Sequence, residues 1–133
     1  MTKISESQIQ RAIVDWITVA APDVIVFAVP NSSTRKPGGR AGNAVPGLRK
    51  GVFDLGLILP RGSGNIAGRL GGLTAYIEVK TDTGTLSEDQ IEFRNTLINR
   101  AVPHCIARSI DDVRAAFAAW GVTTREARNL SCG

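Results

Sequence analysis

The stretches Gly51-Val-Phe-Asp-Leu-Gly-Leu-Ile-Leu59 and Ala75-Tyr-Ile-Glu-Val-Lys80 decide the reading of this chain, because each sets one acid, Asp54 or Glu78, in an apolar run. Short runs rich in aliphatic residues and bounded by turn formers read as strands, and a strand interior is a costly place for charge. Two such acids on neighbouring strands, with Lys80 two residues beyond the second, suggest a metal site suited to cleaving phosphodiesters. A strand period of two puts Glu78 and Lys80 on one face and turns Val79 into the opposite layer.

Working outward, Ser5 with Gln8 three residues later forms a capping-box pattern, and Ile9, Ile13 and Ile17 recur at helical spacing. Ala21-Pro-Asp ends that helix, and Val24 to Val29, apolar throughout, reads as a first strand. The Asp54 run is the second strand, through Leu59, and Leu73 to Val79 is the third. A polar turn, Thr81 to Leu86, leads to a second helix with Ser87 as N-cap and Gln90 three residues later, burying Phe93, Leu97 and Ile98. Val102 to Ala107 is a short fourth strand, with Pro103 marking its start or an edge. Ser109 and Asp112 repeat the capping signal for a third helix, whose stripe of Ile110, Val113, Phe117 and Trp120 stops at Gly121. The order α-β-β-β-α-β-α describes an α/β fold: a small mixed sheet with helices against its faces.

Two loops interrupt this pattern. Residues 31–50 turn to Ser, Thr, Gly, Asn, Pro and basic side chains, and residues 60–72 are Gly-rich. Loops of this length inside a compact domain are uncommon unless they bind something or stay mobile. Between Asp23 and Glu78 the only acid is Asp54, whereas Arg35, Lys36, Arg40, Arg49, Lys50, Arg61 and Arg69 all fall there. A polyanion meets little opposing charge in that interval. Taken alone, such a loop is also what a solvated surface looks like; Lys50, four residues before Asp54, ties it to the acids.

At 133 residues the chain is expected to form one domain over 1–133. The net charge of +4 is compatible with a nucleic-acid partner without requiring one. No apolar run approaches the roughly 18 residues of a membrane span, and the start Met1-Thr-Lys-Ile-Ser-Glu lacks the apolar stretch of an export signal, so a cytoplasmic location without membrane association is expected. Cys105 and Cys132 have no C-x-x-C spacing and read as plain thiols. One histidine, His104, cannot build a zinc site with these ligands, and Trp16 and Trp120 sit on helical patterns as packing residues. The glycines after Gly62 follow no nucleotide-cradle pattern.

Mg²⁺ and Mn²⁺ prefer hard oxygen ligands, which Asp54, Glu78 and the backbone carbonyl of Val79 supply. Lys80, beside the carboxylates, is assigned to orienting the attacking water and steadying the phosphate rather than to taking a proton. Gln90 either orients substrate or Lys80, or simply caps its helix. Glu6 reaches the site only if the first helix packs beside the strand ends. Against all this stands a plainer reading, in which Asp54 caps a loop and Glu78 pairs with Lys80 on an open sheet face.

At these residues the chain resembles the VRR-NUC domain, a branch of the PD-(D/E)xK nuclease superfamily with a restriction-endonuclease-like core. The resemblance runs through Glu6-Ser-Gln-Ile-Gln10, Gly51-Val-Phe-Asp-Leu55, Ile77-Glu-Val-Lys80, Gly84-Thr-Leu-Ser-Glu-Asp-Gln90 and Ala107-Arg-Ser-Ile-Asp-Asp112. It implies a Mg²⁺- or Mn²⁺-dependent DNA endonuclease with Asp54, Glu78 and Lys80 as the catalytic triad, Gln90 as a further active-site residue and Glu6 at the first-helix acidic position. Small standalone members, from phages and bacteria, imply a homodimer selective for branched DNA, including four-way (Holliday) junctions. Arg35, Lys36, Arg40, Arg49 and Lys50 are then the expected nucleic-acid contacts. A less selective nuclease or nickase of the same fold, and a DNA-binding module that does not cut, are the alternatives. Where many members have Pro before the aspartate this chain has Phe53, which bears on backbone rigidity more than on metal ligation.

Overall fold

The computed structural model describes residues 3–30, 46–63 and 73–126. Its elements are α1 (Glu6–Ala20), β1 (Ile25–Ala28), β2 (Leu55–Leu59), β3 (Leu73–Val79), α2 (Glu88–Asn99), β4 (His104–Ala107) and α3 (Ile110–Ala119), in the expected sequence order. The strands form one sheet in the order β1-β2-β3-β4. β1 and β3 run antiparallel to β2, and β4 runs parallel to β3 after the crossover through α2.

Alternation along β3 divides the two sides of the sheet. Leu73, Ala75, Ile77 and Val79 join Leu55, Leu57, Leu59 and Ala107 in one core with Ile13 and Ile17 of α1 and Val113 and Phe117 of α3. Tyr76 and Ile106 face the other way, packing with Phe53, Phe93, Leu97 and Val102 beneath α2. Ile13, Ile17 and Phe117 are fully buried, and each contributes roughly 1.5–3 kcal/mol by leaving water. The helices thus lie on both faces, and the even-numbered residues of β3 look toward α2.

The three N-caps stand where the sequence puts them. Ser5 and Ser87 each close a full capping box with Gln8 and Gln90, and Ser109 accepts from the Asp112 N–H. α3 ends in a Schellman turn, with Gly121 at φ +73 and the Val122 N–H reaching the Phe117 carbonyl at 2.9 Å. α2 ends the same way but with Ala101 at φ +55, a left-handed position that no glycine signals in the sequence.

Several boundaries and burials differ from expectation. β1 is one residue shorter at each end and, although apolar, is an exposed edge strand, with Ile25 59% and Phe27 43% exposed. The Phe27 ring lies over Gly56, where an added Cβ would come within 2.3 Å of it, so glycine in mid-strand makes room for a ring. β2 begins at Leu55 and leaves Asp54 just outside, because the Val79 N–H bonds the Asp54 side chain. β4 begins at His104: Pro103 has no N–H to give, though its carbonyl accepts from Tyr76. Ile98, expected in the buried stripe of α2, is 56% exposed. Trp16 and Trp120 pack around Phe117 as expected. Cys105 is a free thiol pushed up to about 12 by burial and then by Asp112, and Cys132 lies outside the described residues. No helix among the described residues is long and apolar enough to cross a membrane.

Candidate active site

The register Leu55↔Ile77, continued by one residue, sets Asp54 opposite Glu78 at the end of the β2–β3 ladder. There each carboxylate takes a backbone N–H from the facing segment. The Asp54 N–H donates to Glu78 Oε1 at 3.3 Å, and the Val79 N–H donates to Asp54 Oδ2 at 2.9 Å. The Asp54 carbonyl accepts from Val29 at 2.8 Å, so β1 fixes the third side of the residue. Asp54 Oδ1 accepts no hydrogen bond among the described residues.

Glu78 is 1% exposed and Lys80 8%, which removes the reading of a salt-bridged pair on an open sheet face. Lys80 Nζ lies 3.5 Å from Glu78 Oε2, and Gln90 Nε2 donates to that same oxygen at 2.8 Å. Gln90 therefore caps its helix, and its amide reaches Glu78 rather than Lys80. Its Oε1 accepts the Ser87 N–H as the reciprocal half of the cap, while its amide nitrogen holds the glutamate. Burial, and after it the Asp54 charge, push the Glu78 carboxyl up to about 7, against the opposing pull of Lys80.

Neighbouring segments hold this arrangement from outside. Gly51, at φ +81, passes so close to the first turn of α2 that a Cβ there would stand 2.3 Å from the Asp89 carbonyl oxygen. Phe53, fully buried, packs edge-on against Phe93 and belongs to the core rather than to a wall of the site. Beyond Lys80 the turn is clamped by Arg108, whose Nη1 donates to the carbonyls of Thr81 and of Gly84, the latter at 2.8 Å. Neither Arg108 nor Arg94, on α2 four residues past Gln90, stands out in the sequence.

The remaining candidates divide. Arg49 and Lys50 are exposed beside the site strand, and the Arg49 guanidinium sits over the Phe93 ring at 5.8 Å. Arg35, Lys36 and Arg40 lie outside the described residues. Glu6 occupies the exposed first turn of α1, and among the described residues no group of three or more His, Cys, Asp or Glu side chains gathers to hold a metal, so it does not complete a carboxylate cluster with Asp54 and Glu78. His104 contacts the Val102 carbonyl through Nδ1 and Phe53 through its ring, a packing role.

The donor set fits a hard divalent cation. Two carboxylates lie side by side, one oxygen of Asp54 is open among the described residues, and Glu78 has its proton affinity raised by burial first and by its acidic neighbour second. A strand residue's N–H and C=O leave on the same edge, so the Val79 carbonyl projects toward the Asp54 side. Oxygen ligands of this kind suit Mg²⁺ or Mn²⁺.

No protein-family model and no curated protein sequence matches this chain. Among solved structures it is similar to a VRR_NUC domain protein, with a TM-score of 0.53 over 90% of this chain and 89% of that one, at 19% identity. At that identity the likeness is one of fold.

Proposed function

We propose that this chain, folded like a VRR_NUC domain protein, is a metal-dependent endonuclease of the PD-(D/E)xK type that hydrolyses DNA phosphodiesters with a preference for branched substrates such as four-way junctions. The observation that carries the proposal is the convergence on Glu78: Asp54 from the edge of β2, Lys80 from the same face of β3 and Gln90 from the cap of α2. Four side chains from three segments meet in a polar cluster, with Glu78 and Lys80 buried and Asp54 and Gln90 half-buried, a placement that folding alone does not favour.

Asp54, Glu78 and the Val79 carbonyl would hold Mg²⁺ or Mn²⁺, which supplies charge neutralisation at the phosphate and a more acidic water. Gln90 and the Asp54 N–H fix both oxygens of Glu78 before substrate arrives, so little reorganisation is left for the reaction. The Lys80 ammonium, tethered at Glu78 Oε2, orients the incoming water and places positive charge where the phosphorane builds negative charge. Hydrolysis adds water oxygen to phosphorus as the bond to the 3′ oxygen breaks, and that oxygen leaves as a hydroxyl, giving a 5′-phosphate. Arg35, Lys36, Arg40, Arg49 and Lys50 carry the neighbouring phosphates. Glu6 is a lesser candidate, an acid that the described geometry does not bring into the carboxylate cluster. We further propose a single domain over 1–133, acting in the cytoplasm as a homodimer.

The test is a panel of labelled duplex, nicked, flap, single-stranded and four-way DNAs incubated with wild type and Asp54→Ala in Mg²⁺ and in Mn²⁺. Cleavage of branched DNA by wild type, lost in Asp54→Ala and Glu78→Ala with affinity held within about tenfold, is the expected result. Equal cutting of all DNAs points to the less selective enzyme, and binding without cutting to a DNA-binding module. Unchanged cleavage by either mutant would sink the site assignment. An Arg35, Lys36 and Arg40 triple neutralisation in the same panel is expected to bind with a flatter salt dependence, by roughly 0.9 in log-log slope per lost duplex phosphate contact.

A further inference from the structure

The ladder between β3 and β4 runs out at Val79↔Ala107, and the next residues along the two strands are Lys80 and Arg108. Both are cations, yet they are held differently. The Lys80 N–H still reaches the Ala107 carbonyl at 3.0 Å, while its side chain turns to Glu78. The half-buried Arg108 pairs its side chain with no carboxylate among the described residues and gives its donors to the turn that follows Lys80. One nitrogen, Nη1, donates to the Thr81 carbonyl and, at 2.8 Å, to the Gly84 carbonyl, with the Asp82 carbonyl at 3.4 Å. Bonds from a charged donor are about twice as strong as neutral ones. Arg108 is anchored in its turn by its own N–H on Asp112 Oδ2 at 2.8 Å, so the clamp is fixed to the start of α3.

What the clamped turn touches is the stem of Lys80. A Cβ on Gly84 would stand 3.4 Å from Lys80 Cδ, so the face of Gly84 closes over the alkyl chain just short of the ammonium. The Gly84 N–H returns to the Thr81 carbonyl at 3.1 Å and keeps the turn shut. A lysine carries its charge on a flexible four-carbon stem, and among the described residues the ion pair to Glu78, at 3.5 Å, is the one that holds Nζ. Backbone packed against Cδ restricts the rotamers left to that stem.

We propose that Arg108 positions Lys80: by holding the turn 81–84 against the lysine stem, it keeps the ammonium aimed at Glu78 and at the water and phosphate beside it. Arg108 touches none of the reacting atoms and acts through Gly84. For its catalytic consequence the proposal rests on the nuclease reading above.

The experiment uses three variants. Arg108→Met removes the donors and keeps much of the stem, and Arg108→Lys restores an ammonium whose donors can replace the one nitrogen that makes these bonds. Gly84→Val leaves the clamp in place and adds bulk where a Cβ already meets Lys80 Cδ. Cleavage kinetics are measured on four-way DNA in Mn²⁺. In the metal-free protein, the nuclear Overhauser contact between the Gly84 α protons and the Lys80 δ protons is measured, with exchange of the Lys80 amide as a control for the β3–β4 ladder. Wild type is expected to show the contact. Arg108→Met is expected to lose it with the Lys80 amide still protected, and to lose roughly tenfold or more in kcat with KM within about threefold, the split of a group needed in the transition state rather than in binding. Arg108→Lys is expected to recover the contact and most of kcat, and Gly84→Val to lower kcat with KM held although Arg108 is intact. Arg108→Met that keeps the contact, or that keeps wild-type kcat, overturns the proposal. Loss of protection at the Lys80 amide together with the contact makes Arg108 a structural residue and overturns it too. If Arg108→Met does not fold, Gly84→Val decides, and wild-type kcat in that variant is the overturning result. A wild type that never cuts DNA removes the nuclease reading, while the Overhauser contact still decides whether Arg108 positions Lys80.

Discussion

At Glu78 the surroundings pull in opposite directions. Burial and Asp54 favour its protonated form, and Lys80 favours the charged one, with a balance near 7 against an ordinary 4.5. Between those values the native protein holds a proton that the unfolded chain has released. The resulting stabilisation is fully present below pH 4.5 and is lost as pH rises through 7. Its size is on the order of 1–3 kcal/mol. With chelator present, wild type is therefore expected to lose melting temperature between pH 5 and pH 8 relative to Glu78→Gln, which has no proton to lose there. A constant difference between the two proteins across that range would show that Glu78 is already ionised in the metal-free fold.

Among elements, the N-terminus of α2 carries the most consequence, because its cap and its contact with the site are one side chain. Gln90 holds the Ser87 N–H with one end and Glu78 with the other, so the helix can move only by releasing the glutamate. Gly51 sets how near that helix stands. With φ at +81 and the Asp89 backbone within 2.3 Å of any Cβ, Gly51→Ala is both strained and crowded. It is expected to destabilise the protein by about 1–3 kcal/mol and to reduce cleavage more than DNA binding, since the displaced helix takes Gln90 from Glu78. Melting and cleavage at wild-type levels would mean that the approach of this loop does not position the helix. The same physics explains why the role of Gln90 could not be settled from sequence: the capping box was legible from spacing, but the second bond depends on α2 lying over β3.

For the molecule as a whole, an apolar patch is left exposed at the β1 end of the sheet. Ile25 and Phe27 of β1 and Ile58 of β2, 44% exposed, lie together through the Ile25↔Ile58 pairing. A homodimer that also cuts two strands of a junction is expected to sediment with junction DNA as two protomers per DNA. Complexes of only one protomer per junction would count against it.

The sequence by itself determined the elements and their order, because caps, strand alternation and helical stripes are local and repeat at periods a chain can display. It also marked Asp54, Glu78 and Lys80, since acids and a lysine set in apolar runs conflict with the rule those runs otherwise obey, and it marked Gln90 as a cap. What it could not determine is whatever depends on which face meets which. The apolar β1 became an edge because no strand among the described residues pairs with its outer side, and Phe53 became core because α2 covers it. Tertiary structure alone decided that the Asp54 N–H meets the Glu78 carboxylate while the Val79 N–H meets the Asp54 carboxylate, because both bonds rest on the register of two strands that 13 residues separate in the chain.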